Sequence, residues 1–200
     1  ASLRLPPDEQ VRAWLASIYE RYGATCGLMC ECILLTAMRR EEVVCFRTDT
    51  LPEDPRQWHI ANPQAPTSEQ QVRLTIQYGA KGKTFGVDHD DKIGPSRTLL
   101  MPLILAKKLD DYRRGPRNGA IKRRLAGVTG KEARLARAAS AVHLFLREDD
   151  GERFSGKRLY DAWVGGELPM EGWSPHQGPH WWACSVLWRE MHRHEHANRS

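Results

Sequence analysis

Residues Ser174 to Glu190 read Ser-Pro-His-Gln-Gly-Pro-His-Trp-Trp-Ala-Cys-Ser-Val-Leu-Trp-Arg-Glu. The Ser-Pro opening, with two histidines four residues apart, is typical of a loop that feeds into a helix. Large apolar residues follow, mostly at spacings of three and four, so one broad helical face enters a core; they are Trp181, Cys184, Val186, Leu187 and Trp188. The pattern places His176 at the mouth of a buried helix, where an imidazole can meet a substrate.

Length and composition bound the class of protein. The chain has 200 residues, of which 40 % are hydrophobic and 28 % charged, enough for one globular domain, with or without a small appendage. It contains no apolar run of eighteen residues and no signal-like start, so we expect no membrane segment and a cytoplasmic location. The formal net charge of +5 permits a polyanionic partner. Five cysteines without a Cys-x-x-Cys pair favour reduced core thiols.

Helical patterns precede and follow a short region of strand patterns. Residues 1–7 read as a linker, Asp8 begins an amphipathic helix that ends at Gly23, and a second helix over Thr25–Met38 is apolar nearly all round and therefore central. Later helices are predicted over Leu103–Arg114 and Gly156–Val164.

Strand patterns are confined to the middle of the chain. They cover Trp58–Ile60, Val72–Tyr78 and Ser96–Met101, and a long loop over Gly79–Pro95 separates the last two. The predicted fold class is therefore α+β, mainly α-helical, with a small three-stranded antiparallel sheet.

Two basic positions invite competing interpretations. Arg39 and Glu42 are three residues apart and therefore share one helical face. This spacing fits a functional pair, but it equally fits a solvated charge cluster with a local ion pair. Lys81 lies in Tyr-Gly-Ala-Lys-Gly-Lys-Thr, similar to a phosphate-binding loop. That motif requires a glycine where this chain has Gln77, and no helix pattern follows, so we reject nucleotide binding by this route.

The histidines also permit a metal site. His176 with His180, and His192 with His196, are four residues apart. No Cys-x-x-Cys or His-Glu-x-x-His motif accompanies them, and Pro179 interrupts the first pair. We therefore predict neither a metal nor any other cofactor.

Taken together, the motifs resemble those of the tyrosine recombinases (phage integrases). Thr36–Val44 is similar to the Thr-Gly-x-Arg-x-x-Glu box of that family, and the hairpin around Lys81 to its lysine hairpin, with Arg97 and Pro102 on the strand behind. Ser174–His180 is similar to its Ser/Thr-Pro-His-x-x-Arg-His box, and the segment from His143 to Leu146 to the Leu-Phe segment before it. The boxes occur in the family's order from about residue 8 to residue 190, and the resemblance implies an integrase-like catalytic domain over residues 8–200.

The resemblance implies site-specific DNA recombination and integration, in which a tyrosine attacks a DNA phosphodiester and forms a phosphotyrosine intermediate. By position, Arg39 would clamp the phosphate, Lys81 would protonate the leaving 5′ oxygen, and His176 would act as acid–base partner or phosphate ligand. Supporting roles would fall to Glu42, Lys92 and His180. Further DNA contacts would come from Arg40, Lys83, Arg97, Arg123 and Arg124.

Two departures from the family pattern stand out. Pro179 occupies the position of the second arginine, and loss of one preorganised donor costs about 3–4 kcal/mol of transition-state stabilisation. No tyrosine follows Tyr160. We therefore expect a catalytic domain that lacks the C-terminal tyrosine segment and is impaired in catalysis.

Two other functions remain open from the sequence. One is a non-catalytic DNA-binding remnant or regulator of a mobile genetic element, and the other is a helical protein with a basic surface in which the motifs are coincidental. If the chain is a recombinase or a DNA-binding remnant, its partner is double-stranded DNA, on which it self-associates. Under these two hypotheses we expect no small-molecule substrate and no membrane. Convergence of Arg39, Lys81 and His176 in space would separate these hypotheses from the third.

Overall fold

The long first helix organises the core. The structure is a computed structural model that describes residues 5–179 and Trp181. Helix α1 (Asp8–Thr36) is interrupted at Gly23, whose φ of 88° is not helical. After the break, every residue from Thr25 to Leu34 is buried, because this half carries apolar side chains on all of its faces. The predicted central helix is thus confirmed, although it ends at Thr36 and not at Met38.

Other helices follow α1 in the described part of the chain. They are α2 (Arg40–Val44), α3 (Leu103–Arg114), α4 (Pro116–Arg124), α5 (Lys131–Ala139) and α6 (Gly156–Gly165), and residues 177–179 and 181 are also helical. Of these helices, α2, α3 and α6 pack against α1, whereas α4 packs against α3 and α5 against α4. The predictions for α3 and α6 are confirmed. None of the helices within the described part of the chain combines the length and apolar character that crossing a bilayer requires.

A small antiparallel sheet is inserted between α2 and α3. It consists of β1 (Gln71–Tyr78), β2 (Val87–Asp88) and β3 (Asp91–Pro102), in the order β1-β3-β2. Val72 lies opposite Met101, and both face the core, whereas a bulge after Ile76 bends the end of β1. The predicted α+β class with a three-stranded antiparallel sheet is confirmed.

The identity of the third strand differs from the prediction. The segment Trp58–Ile60 contributes only an isolated bridge between Ile60 and Val72. The third strand is β2, and both it and the start of β3 lie in the region predicted as a loop. The hairpin turn was missed because His89 and Asp90 take positive φ values of 48° and 64° without the Asn-Gly or Asp-Gly pair that announces such turns.

Tryptophans join α1, α6 and the segment before His176. The indole of Trp14 donates a hydrogen bond to the carbonyl oxygen of Trp163 at 2.9 Å, and its ring lies 4.3 Å from that of Trp163. Trp173 stacks on Trp163 at 5.4 Å. Burial of these large side chains fixes the direction in which the chain approaches residues 174–179.

Candidate phosphate-binding site

The backbone around Arg39 is shaped by the end of α1. Ala37 adopts a left-handed conformation, with φ of 58°, so the buried helix ends at Thr36. Arg39 then precedes α2, and its backbone N–H donates a hydrogen bond to Oε1 of Glu42 at 3.0 Å. A carboxylate at the start of a helix satisfies a backbone donor that has no partner within the helix. The Arg39 side chain itself is exposed.

Glu42 is buried and paired. Its two carboxylate oxygens accept hydrogen bonds from Arg97, at 2.9 Å from Nε and 2.7 Å from Nη2. This bidentate pair raises the pKa of Arg97. Arg97 was predicted as a DNA contact, but its guanidinium is engaged within the protein.

Lys81 reaches the same region through Gly79. Gly79 has φ of 77°, and a Cβ at this position would lie 2.5 Å from the carbonyl oxygen of Glu41. Glycine therefore allows the end of β1 to approach the backbone of α2 directly. The N–H of Gly79 also donates to the carbonyl oxygen of Lys92 at 3.0 Å, which ties this point to β3. The Lys81 side chain is exposed two residues further on.

His176 is placed by close packing behind it. Pro175 is buried and His176 exposed. Gly178 faces α1, where a Cβ would lie 2.4 Å from Cγ2 of Ile33 and 3.3 Å from Cη2 of Trp163. The small residue thus lets the helical segment that begins at residue 177 rest against the central helix, and His176 projects from its start.

These three segments meet around one cavity of about 400 Å³, which we call the Arg39 cavity. Its lining consists of Arg39, Arg40, Glu41, Gly79, Lys81, Pro175, His176 and Pro179. The one carboxylate among the described lining residues, that of Glu41, lies 3.4 Å from Nε of Arg40. Within the described part of the chain, no ion pair engages Arg39, Lys81 or His176. The cavity is therefore suited to an anion.

The other predicted contacts are dispersed. Arg40 lines the cavity and lies 5.9 Å from the ring centre of Tyr160. Lys83 and Lys92 are exposed on the hairpin, outside the cavity lining, and Lys83 lies 5.5 Å from the ring of Phe85. Arg123 is exposed on α4. His180, as well as His192 and His196, lies outside the described residues.

Arg124 requires a correction. It was predicted to contact DNA, but its side chain is buried, and its guanidinium donates to the carbonyl oxygens of Arg137 and Gly151, both at 3.1 Å, and to the hydroxyl of Ser140 at 2.9 Å. A guanidinium whose donors are used in this way joins α4 to the segments after it. Arg124 is thus a structural residue.

The sequence analysis missed a second cluster of charged residues, which we call the Asp91 cluster. The buried carboxylate of Asp91 pairs with Arg47 at 2.8 Å, Arg153 at 2.5 Å and His143 at 2.6 Å, and accepts a hydrogen bond from the Cys45 thiol at 3.2 Å. The cluster fastens the β2–β3 hairpin to the end of α2 and to the 143–153 region. Asp91 lies at the start of β3, directly after the hairpin turn. Had the sequence analysis predicted a hairpin over residues 87–92, Asp91 would have been recognised as a residue held against the rest of the fold.

Burial and charge shift two pKa values in this cluster. Burial alone would raise the pKa of Asp91, but the hydrogen bond and charge of His143, with the hydrogen bonds from Cys45 and Arg153, hold it well below its usual range. Burial and the neighbouring Asp91 carboxylate raise the pKa of the Cys45 thiol to about 12. Cys45 is therefore a neutral hydrogen-bond donor.

Comparison with known proteins returns no match to a family model, to a curated protein or to a solved structure.

Proposed function

We propose that this chain forms the phosphate-binding part of a tyrosine-type, site-specific DNA recombinase. The observation that carries the proposal is that Arg39, Lys81 and His176 line one cavity although they come from three distant segments of the chain. The resemblance to tyrosine recombinases had selected these residues from their motifs alone. A chance agreement of three short motifs would not require their side chains to meet.

Arg39, Lys81 and His176 each have a role in the proposed reaction. A tyrosine hydroxyl attacks the phosphorus atom and the bond to the 5′ oxygen breaks, which yields a phosphotyrosine link and a free 5′ hydroxyl. Lys81 gives its proton to the leaving oxygen, and His176 receives the proton of the tyrosine. Arg39 stabilises the charge on the non-bridging oxygens. Residues 161–200 contain no tyrosine, so the proposal for this chain concerns the residues that hold the phosphate.

Double-stranded DNA is the proposed partner, with self-association on it and a cytoplasmic location. Duplex DNA presents a regular array of phosphates, and cationic side chains gain affinity by releasing the counterions that neutralise them. Arg40 is suited to a neighbouring phosphate, since it lines the same cavity. Lys83, Lys92 and Arg123 are exposed and therefore available for further phosphates.

Pro179 supports a second candidate, a DNA-binding remnant without catalysis. It lines the cavity at the position where the resembled box has its second arginine. Proline carries neither charge nor side-chain donor, so Arg39 would hold the phosphate without that partner. Loss of such a donor lowers a rate by roughly a hundred- to a thousandfold but lowers binding much less.

DNA binding tests what the two candidates share. We expect Arg39→Ala to weaken binding to a fluorescent duplex about tenfold at 50 mM salt and to reduce the slope of log affinity against log salt by about one. Arg12→Ala is the matched control, because Arg12 is exposed on α1 and outside the cavity lining. Equal losses in the two variants, or binding that does not respond to salt, would contradict the proposal.

Cleavage separates the two candidates. The chain would be incubated with a pool of randomised, nicked duplexes and with hydroperoxide as an added nucleophile in place of the tyrosine. Cleavage products that disappear in Lys81→Ala would support the recombinase. Binding that depends on Arg39, without any cleavage, would support the remnant.

A further inference from the structure

Arg97 is partly exposed, but its guanidinium is bound to a buried carboxylate. It lies on β3 opposite Ile76, and its side chain is 39 % exposed, whereas the Glu42 side chain with which it pairs is 0 % exposed. Nε and Nη2 each donate to a different carboxylate oxygen. This two-point geometry fixes the plane of the carboxylate as well as its charge.

The same carboxylate holds the backbone of Arg39. Oε1 of Glu42 accepts from Nη2 of Arg97 and also from the backbone N–H of Arg39. One oxygen atom therefore joins the sheet to the residue that directly precedes α2. Arg97 and Arg39 are 58 residues apart in sequence (97 − 39), and this shared acceptor is a direct link between them.

We propose that Arg97 is a positioning residue that acts through Glu42 to fix Arg39 for phosphate binding, and that Arg97 does not itself bind DNA. The inference rests on the proposed function of the Arg39 cavity. It replaces the DNA contact that the sequence analysis predicted for Arg97. In this arrangement the Glu42 carboxylate binds the backbone N–H of Arg39, and the Arg39 guanidinium remains available to the ligand.

The physical consequence of losing Arg97 is specific. Without the bidentate donor, the buried Glu42 carboxylate has lost its charge partner, and the Arg39 N–H alone does not compensate its charge. The carboxylate therefore gains stability by turning toward water. Such a rotation breaks the hydrogen bond to Arg39 and releases the start of α2. The Arg39 side chain then samples more orientations, and its affinity for a phosphate falls although its charge is unchanged.

A double-mutant cycle on DNA affinity tests this inference. Arg97→Ala in the otherwise unchanged chain should weaken duplex binding about tenfold, and in an Arg39→Ala background it should weaken binding less than about twofold, because it acts through Arg39. Arg97→Lys should also weaken binding, since lysine keeps the charge but not the two-point geometry. Affinity would be measured by fluorescence anisotropy, well below the melting temperature of each variant.

A matched control removes general destabilisation as an explanation. Lys108 pairs at 3.1 Å with Glu31, and their side chains are 49 % and 7 % exposed, so Lys108→Ala also leaves a buried glutamate without its cation. Lys108 is outside the cavity lining. We expect Lys108→Ala to lower the melting temperature to a similar degree and to leave DNA affinity unchanged. Equal losses of affinity in Lys108→Ala and Arg97→Ala would overturn the inference.

The remaining outcomes distinguish this inference from the proposed function. If Arg97→Ala weakens binding equally with and without Arg39, Arg97 contacts DNA directly and the inference is wrong. If Arg39→Ala weakens binding but neither Arg97 variant does, the inference is also wrong while the proposed function stands. If Arg39→Ala has no effect, the proposed function fails. Should Arg97→Ala not fold, Arg97→Lys in both backgrounds completes the same cycle.

Discussion

The Arg39 cavity and the Asp91 cluster each contain two arginines and a histidine, and they differ in how a carboxylate pairs with these cations. In the Asp91 cluster, one buried carboxylate accepts from two arginines, a histidine and a thiol. In the cavity, the carboxylate of Glu41 is paired with Arg40, and Arg39, Lys81 and His176 have no ion pair within the described part of the chain. Cations that the protein compensates itself hold its fold, whereas those it leaves uncompensated are available to a ligand.

The largest expected effect lies in the Asp91 cluster. Asp91→Asn keeps the volume of the side chain but leaves Arg47 and Arg153 facing a neutral amide, and breaking a buried pair in this way costs about 3–5 kcal/mol. Urea denaturation should show this loss in the free energy of unfolding. Asp54→Asn, which removes a partly exposed carboxylate paired with the exposed Arg56, should leave that free energy unchanged within error. Equal effects would mean that the cluster does not hold the fold.

Acid should weaken the contribution of Asp91. Because its folded-state pKa is lowered, Asp91 stabilises the protein above the ordinary carboxylate pKa of about 4, and this stability is lost as the pH falls through the folded-state value. We therefore expect the free energies of unfolding of the unchanged protein and of Asp91→Asn to converge as the pH is lowered from 5 toward 2. Parallel curves would contradict the origin assigned to the shift.

Arg123 and Arg124 provide the same contrast at neighbouring positions. Arg124→Ala removes the guanidinium donor from the buried carbonyl group of Gly151, so the free energy of unfolding should fall by about 1–3 kcal/mol. Arg123→Ala should leave that free energy unchanged and weaken duplex binding about twofold, as expected for one exposed phosphate contact. Thermal unfolding and anisotropy on both variants check this contrast. Reversed effects would show that burial does not separate the two roles.

The sequence was sufficient for the long helices and for the cationic residues that line the cavity. Apolar spacing predicted the central helix, α3 and α6, because a buried helix needs little beyond its own pattern. The motif order led to Arg39, Lys81 and His176. The helices and the cavity residues could both be predicted from local signals, since periodicity and short motifs are properties of residues that are close in sequence.

The pairings could not be predicted because they join distant residues. Nothing near Arg124 indicates that Gly151 and Ser140 will accept its hydrogen bonds, and nothing near Arg97 indicates Glu42. The third strand was missed for a related reason. Its turn at His89 and Asp90 requires positive φ values that these residues do not favour in isolation, and the Asp91 cluster stabilises the hairpin from outside.

An effect smaller than that of the buried Asp91 cluster is expected from adding a cation to the cavity. Pro179→Arg would place an uncompensated guanidinium beside Arg39, Lys81 and His176, and arginine is tolerated in the first turns of a helix. We expect duplex binding to tighten about fivefold, which corresponds to about 1 kcal/mol for one charged hydrogen bond. The slope of log affinity against log salt should steepen by about 0.9, as for one more neutralised phosphate.

Two controls separate the position of this charge from its presence. Pro179→Ala removes the proline without adding charge, and it should leave both affinity and salt slope unchanged. Ala13→Arg adds the same charge at an exposed position on α1, outside the cavity lining. If Ala13→Arg tightens binding as much as Pro179→Arg, the gain reflects net charge alone, and position 179 does not face the phosphate. If duplex affinity rises only in Pro179→Arg, the gain depends on where the added cation lies and not on net charge. This dependence on position is expected of a cavity that binds one phosphate.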